Sequence, residues 1–130
     1  MKRRDFLTSL LTVLAALPAA RAWAVSPRRR VLIQESSVAG FQYHAGGQLW
    51  PLLREGQALT LIREPANPYD ERAVRVDWRG RKLGYVPRLE NTAVAQMLDR
   101  GQRLTARIVR LQESSDPWER LRFAVGLEIG

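Results

Sequence analysis

The sequence predicts a mostly β domain, a small antiparallel OB-like barrel of about six strands with one or two short helices. Three observations predict it. Short apolar runs alternate with polar residues at period two. Clusters of Gly, Pro, Asn and Asp separate those runs. A single segment carries a helical period, so the strand–helix–strand rhythm of a parallel sheet is missing.

In chain order, Val31 to Val38 reads as the first strand and stops at Ala39-Gly40. Gly40-Phe41-Gln42-Tyr43-His44-Ala45-Gly46-Gly47 brackets two aromatic rings with glycines, which permit sharp turns and close backbone approach. Leu49-Trp50-Pro51-Leu52-Leu53 is a short apolar piece, a helical turn or a bent strand. Ala58 to Arg63 is the second strand, and Ala73 to Trp78 the third, with Val74, Val76 and Trp78 alternating against Arg75 and Asp77. Arg79-Gly80-Arg81 is a hairpin turn into the fourth strand, Lys82 to Val86, which Pro87 ends. Glu90 to Arg100 is the helix: Val94, Met97 and Leu98 share a face, supported by Ala93, with Asn91 or Glu90 at its start and Gly101 after its end. Leu104 to Leu111 is the fifth strand and Leu121 to Ile129 the sixth. Trp50, Trp78 and Trp118 are expected in the core or as a lid on the barrel. A barrel this small has little room for an enclosed ligand, which places any ligand on its outer face or rim loops.

Residues 1–22 stand apart from this pattern. A basic start (Lys2-Arg3-Arg4), an apolar run from Phe6 to Leu17, and the small-residue sites Ala20-Arg21-Ala22 and Ala22-Trp23-Ala24 have the order of a secretory signal peptide. Arg3-Arg4-Asp5-Phe6-Leu7 resembles a twin-arginine export signal, which engages export machinery and carries folded cargo. The apolar run falls short of the roughly 20 residues that span a bilayer. The expected organisation is a signal over 1–22, a basic linker over 23–30 and one domain over 31–130, exported to the periplasm or beyond, with no stable membrane span once mature.

Composition narrows the chemistry. The 130 residues contain no cysteine and one histidine, His44. Disulfides, thiolate nucleophiles and cysteine-ligated zinc are therefore excluded, and a single histidine argues against a histidine metal cluster or a His-based triad. No Walker loop occurs, and Asp70 and Glu71 are sequence neighbours that point apart rather than a facing acid/base pair. No cofactor is implied. The net charge of +8 favours an anionic partner, and removal of the signal leaves the balance basic.

The most informative stretch is Arg63 to Val74, between the second and third strands. Pro65 and Pro68 fix two φ angles and push Glu64 and Asn67 towards extended geometry. Asn67 and Asp70 suit hydrogen bonds to nearby backbone amides. A rigid turn of this kind leaves a ring (Tyr69), acids (Asp70, Glu71) and cations (Arg63, Arg72) for a partner, unless Tyr69 packs back on its own domain. Tyr43 and Tyr69 in stiffened turns, with Arg63, Arg75, Arg81, Lys82 and Arg88 about them, suit stacking on unpaired bases and neutralisation of phosphates. Asp70 repels phosphate but accepts from a hydroxyl or base amine, which makes a terminal sugar hydroxyl a reasonable target.

Three motifs together resemble the HIRAN domain: Gly40-Phe41-Gln42-Tyr43-His44-Ala45-Gly46, then Arg63 to Asp70 with Ala73-Val74, then Lys82-Leu83-Gly84-Tyr85-Val86-Pro87-Arg88 with Asn91. The resemblance covers Val31 to Ile129. It implies an OB-like barrel that captures the 3′ end of single-stranded DNA. By motif position, Tyr43 and Tyr69 would stack on terminal bases and Asp70 would accept from the 3′-hydroxyl. Asn67 and Arg88 would meet the backbone or a phosphate, with Gln42 and His44 flanking Tyr43. Gln42 stands where DNA-end binders carry a basic residue, and His44 where they often carry an aromatic one. Motor and zinc functions of larger members belong to their other domains. The export-like N-terminus keeps a second reading open: a secreted module that uses this surface for another anionic ligand or an envelope partner protein.

Overall fold

A computed structural model describes residues 29–129; the signal and most of the linker lie outside them. Six strands form one antiparallel sheet: β1 (Arg29–Ser37), β2 (Ala58–Glu64), β3 (Ala73–Trp78), β4 (Arg81–Tyr85), β5 (Leu104–Leu111) and β6 (Leu121–Ile129). Their spatial order is β1-β6-β5-β2-β3-β4. Two short α-helices join them, α1 (Gly46–Leu49) and α2 (Thr92–Asp99).

β2 couples the two halves of the sheet. Its first residues, Ala58 and Leu59, pair with Arg107 and Ala106 of β5, and Thr60 to Glu64 then pair with β3. β3 returns to β4 through Arg79-Gly80, both at positive φ (46° and 80°), the backbone twist that a two-residue hairpin requires.

The expected barrel does not close. β1 pairs with β6 along its length and β4 pairs only with β3, so each is a sheet edge. One bridge links the chain after β1 to the end of β4: Ala39 N–H donates to Tyr85 O (2.8 Å) and Tyr85 N–H to Ala39 O (3.0 Å). The other edge of β4 is met by the turns that follow β1 rather than by β1 itself, Ala45 N–H donating to Lys82 O at 3.0 Å.

The core is the alternation read from the sequence. Val74, Val76, Trp78, Leu83, Ile108, Leu121, Phe123 and Val125 are buried. Other expectations shift. The start of β1 is exposed at Val31 and Leu32, beyond the core that β6 covers. In α2 it is Ala95 with Val94, not Ala93, that is buried. Trp50 is half-buried, its ring edge-on to Phe41 at 6.1 Å between centroids. Trp118 is not a core or lid residue: it is 47% exposed. Its loop is anchored by an Asp116 cap, whose Oδ1 accepts from Trp118 N–H at 3.0 Å, rather than by the ring.

Gly84 makes the bridge possible. At φ 154° it lies against Ala39 O and the Val38 side chain, where any Cβ would collide with both. Gly84→Ala should therefore destabilise the fold by about 2 kcal/mol or more, read as a lowered urea midpoint. An unchanged midpoint would show that the bridge contributes nothing to stability.

Candidate nucleic-acid interface

The loop between β2 and β3 folds around Asn67. Its Oδ1 accepts from Tyr69 N–H (2.8 Å) and Asp70 N–H (3.2 Å), and its Nδ2 donates to Glu64 Oε1 (3.1 Å). Asp70 closes the turn by accepting from Arg72 N–H at 2.9 Å. The short polar side chains thus replace the missing ladder bonds of a Pro-rich segment. Both the oxygen and the nitrogen of the Asn67 side chain are engaged inside the loop.

Glu64, the last residue of β2, joins three segments. Oε1 also accepts from the Tyr85 hydroxyl (2.9 Å), and Oε2 faces Arg75 Nη1 (3.4 Å). Burial works to raise its pKa. The hydrogen bonds from Asn67 and Tyr85, with Arg75 and Lys82 nearby, outweigh burial and hold it below the ordinary glutamate value. Lys82 Nζ lies 4.5 Å from the Tyr85 ring centroid, and His44 meets the same ring edge-on at 6.3 Å. Burial, then the charge of Lys82, lower the His44 pKa, so the imidazole is neutral at pH 7.

Asp70 has a second holder. Asn91, 1% exposed at the start of α2, donates Nδ2–H to Asp70 Oδ2 at 2.8 Å. Its Oδ1 has no partner among the described residues. The orientation follows from charge: an ionised carboxylate only accepts, so the amide must present its donor. At Asp70 partial burial acts upwards, but the bonds from Arg72 and Asn91 and the charges of Arg88 and Arg72 leave its pKa lowered.

These groups surround an open groove of about 850 Å³. Asn67, Tyr69, Asp70, Arg88 and His44 line it, as do Glu64, Lys82 and Tyr85. Gln42 and Tyr43 do not line it. They sit in the adjoining 3-10 turn Phe41–Tyr43, which leads directly into His44. Phe41 anchors that turn, 1% exposed, over a Gly46 whose hydrogen faces the ring where a Cβ would clash. Tyr43 (78% exposed) and Tyr69 (85% exposed) project into solvent, so Tyr69 does not pack back on the domain.

The cations divide into two sets. Arg63 is bidentate to Asp99 (3.0 and 3.3 Å) and Arg75 to Asp77 (2.9 and 3.0 Å). Arg81 donates to Gln48 at 3.3 Å. Arg72, Lys82 and Arg88 make no salt bridge among the described residues, and Lys82 and Arg88 face the groove. Among the described residues no group of three His, Cys, Asp or Glu side chains could hold a metal ion, and no helix is long and apolar enough to cross a membrane. Sequence reasoning missed the part played by Glu64, Tyr85 and Asn91. Tyr85 and Asn91 stand inside the motifs quoted above, but only the fold shows what they hold.

The HIRAN domain family model matches residues 31–129, and the chain belongs to that family. HIRAN domains are generally DNA-binding modules, binding units rather than catalytic ones. A crystal structure of a protein from Lactobacillus plantarum superposes with a TM-score of 0.68 at 29% identity, covering 80% of this chain and 100% of that one. The crystal structure of the HIRAN domain of human HLTF superposes with a TM-score of 0.60 at 19% identity, covering 76% of this chain and 78% of that one. A search of curated protein sequences gives no significant match.

The lowered carboxyls predict an acid response. A carboxyl with a depressed folded pKa stabilises the fold above its unfolded value, and that contribution disappears as pH falls through the folded value. Stability should therefore decline below about pH 4.5, the ordinary glutamate value. Glu64→Gln should be less stable than wild type at pH 7 yet lose less on acidification, measured by urea midpoints at neutral and acid pH. Parallel acid profiles for the two proteins would remove Glu64 from the explanation.

Proposed function

We propose that the groove captures the 3′ end of single-stranded DNA. The observation that carries this reading is the pair of tyrosines, Tyr43 and Tyr69, left 78% and 85% exposed on two turns anchored from beneath. Exposed rings on rigid turns are platforms for bases, each worth roughly 1–3 kcal/mol. Lys82 and Arg88, which face the groove, supply charge for the phosphates that follow. Asp70 is held ionised between Arg72 and Asn91, in a place where an internal phosphate would be repelled and a terminal hydroxyl can donate. Asn67 shapes the loop that presents Tyr69 and Asp70. Gln42 sits exposed beside Tyr43, within reach of the strand's edge rather than inside the groove. His44, neutral, forms part of the wall.

The test compares short strands ending in a 3′-hydroxyl or a 3′-phosphate. The hydroxyl form should bind roughly tenfold tighter or more, because like charge placed together costs several kcal/mol. Tyr69→Ala should weaken the hydroxyl form by about 1–3 kcal/mol. Equal binding of both strands would discard Asp70 as an end reader and favour an anionic ligand of another kind.

We also infer export from residues 1–22, on the sequence alone. Fractionation of the full chain with a C-terminal tag should find a shortened product outside the cytoplasm, absent when Arg3 and Arg4 are both changed to Lys. A full-length cytoplasmic product would overturn export and leave DNA as the natural partner.

A further inference from the structure

A second polar groove, of about 350 Å³, lies at the far end of the sheet between Ser37, Arg110, Gln112, Trp118 and Arg122. Three of these residues form one row across adjacent strands: Ser37 of β1 pairs with Arg122 of β6, and Arg122 pairs with Arg110 of β5. Directly paired residues of an antiparallel ladder share a face, so the two arginine side chains leave the sheet on the same side. Like charges at that position are destabilising unless something anionic lies between them. The protein supplies only partial relief. Arg122 Nε is 3.5 Å from Glu35 Oε1, both side chains being nearly half exposed, and Arg110 Nη2 donates to the neutral Gln112 at 2.6 Å. Glu119, which also lines the groove, is turned to Ser114 Oγ at 2.9 Å. Ser37 is 9% exposed and its hydroxyl makes no hydrogen bond within the described residues. Two arginines and an adjacent serine hydroxyl lining one groove are donors that an oxyanion would engage together.

The wall of this groove is Trp118, an exposed ring on the 3-10 turn Pro117–Glu119. That turn packs against the Phe41–Tyr43 turn, which carries one of the two proposed stacking tyrosines. The second groove therefore lies beside the turn that carries Tyr43.

We propose that Ser37, Arg110 and Arg122 hold a backbone phosphate of single-stranded DNA upstream of the captured end, with Trp118 covering the adjoining base. The chain would then follow a strand rather than only its last nucleotides. This subsite rests on the end-capture reading for its direction along the strand, and its test separates the two.

The full chain is titrated with 3′-hydroxyl strands of about 4 and about 12 nucleotides, lengths that bracket the footprints of single-strand-binding domains of this size. Arg110→Gln with Arg122→Gln should reduce the salt slope for the long strand by about 0.7, the value for one phosphate no longer neutralised, and leave the short strand unchanged. Trp118→Ala should weaken the long strand alone, by roughly 5- to 150-fold, and Trp118→Phe should restore most of that affinity. Equal weakening of both lengths would make Trp118 a prop for the Tyr43 turn and overturn the subsite. So would arginine variants that leave the long-strand slope intact. If 3′-phosphate strands bind as well as 3′-hydroxyl strands while the long-strand effects persist, end capture falls and the phosphate subsite stands. If end preference persists and these variants are silent, only the subsite falls.

Discussion

The carboxylate of Glu64 is the constraint on which the site depends. It ends β2, accepts from Asn67 in the following loop and from Tyr85 at the end of β4, and faces Arg75 on β3. A partly buried carboxylate left without donors is strongly unfavourable, so each of these groups is drawn to it. The consequence is geometric. Asn67 cannot serve Glu64 and the Tyr69 and Asp70 amides unless the Pro-rich loop curls back over the sheet. Tyr85 cannot reach Glu64 unless β4 stays in register, which Gly84 and the Ala39 bridge secure. The groove wall and the Asn67 loop that flanks it are held by one charge.

Electrostatics then sorts the arginines. A net charge of +8 suggests a uniformly basic surface, but the fold removes much of it from play. Arg63 and Arg75 are bidentate to Asp99 and Asp77, and Arg75 also serves Glu64. Fixed pairs of this kind hold strands and helix together and offer little to a ligand. Of the other cations, Lys82, Arg72 and Arg88 stand about the first groove, and Arg110 and Arg122, the latter 3.5 Å from Glu35, at the second. Lys82 rests on the Tyr85 ring, which orients its charge without neutralising it.

Much of this was legible in the sequence, and the exceptions have physical causes. Period-two alternation located β2 through β6 because each has one face in the core. It could not show that the sheet stays open. Closure depends on whether β1 and β4 meet, and no local pattern encodes a pairing between strands so distant in sequence. The Asn67 turn was legible because two prolines and two short polar side chains leave few conformations. Trp118 was misjudged because its size argues for burial, whereas its position is decided by a capped loop. Of the residues picked from the sequence, His44, Asn67, Tyr69, Asp70 and Arg88 line the groove, whereas Gln42 and Tyr43 stand on the turn beside it. The parts played by Glu64 and Asn91 were not legible, because they lie in what these residues hold. The same applies to the arginines, since which of Arg63, Arg75 and Arg88 is available to a ligand depends on partners that lie beyond any local pattern.

Asn91 shows how tightly the acid side of the groove is specified. A buried amide normally satisfies both of its ends, and an unpaired buried acceptor costs about 1–3 kcal/mol. Turning the amide over would place Oδ1 against the Asp70 carboxylate and lose the bond as well. The half-satisfied arrangement is thus the better of two, and Asp70 is what makes it so. A domain selected only for basic attraction would gain by replacing Asp70 with a neutral residue, which would relieve Asn91 and strengthen the pull on phosphate. Under the proposed end capture, an ionised carboxylate there would weaken binding to any strand whose phosphate must lie beside it and spare the strand that ends at that point. On the proposed reading, affinity would come from rings and rim cations, which are indifferent to where a strand ends, and Asp70 would supply a difference between ends and interiors.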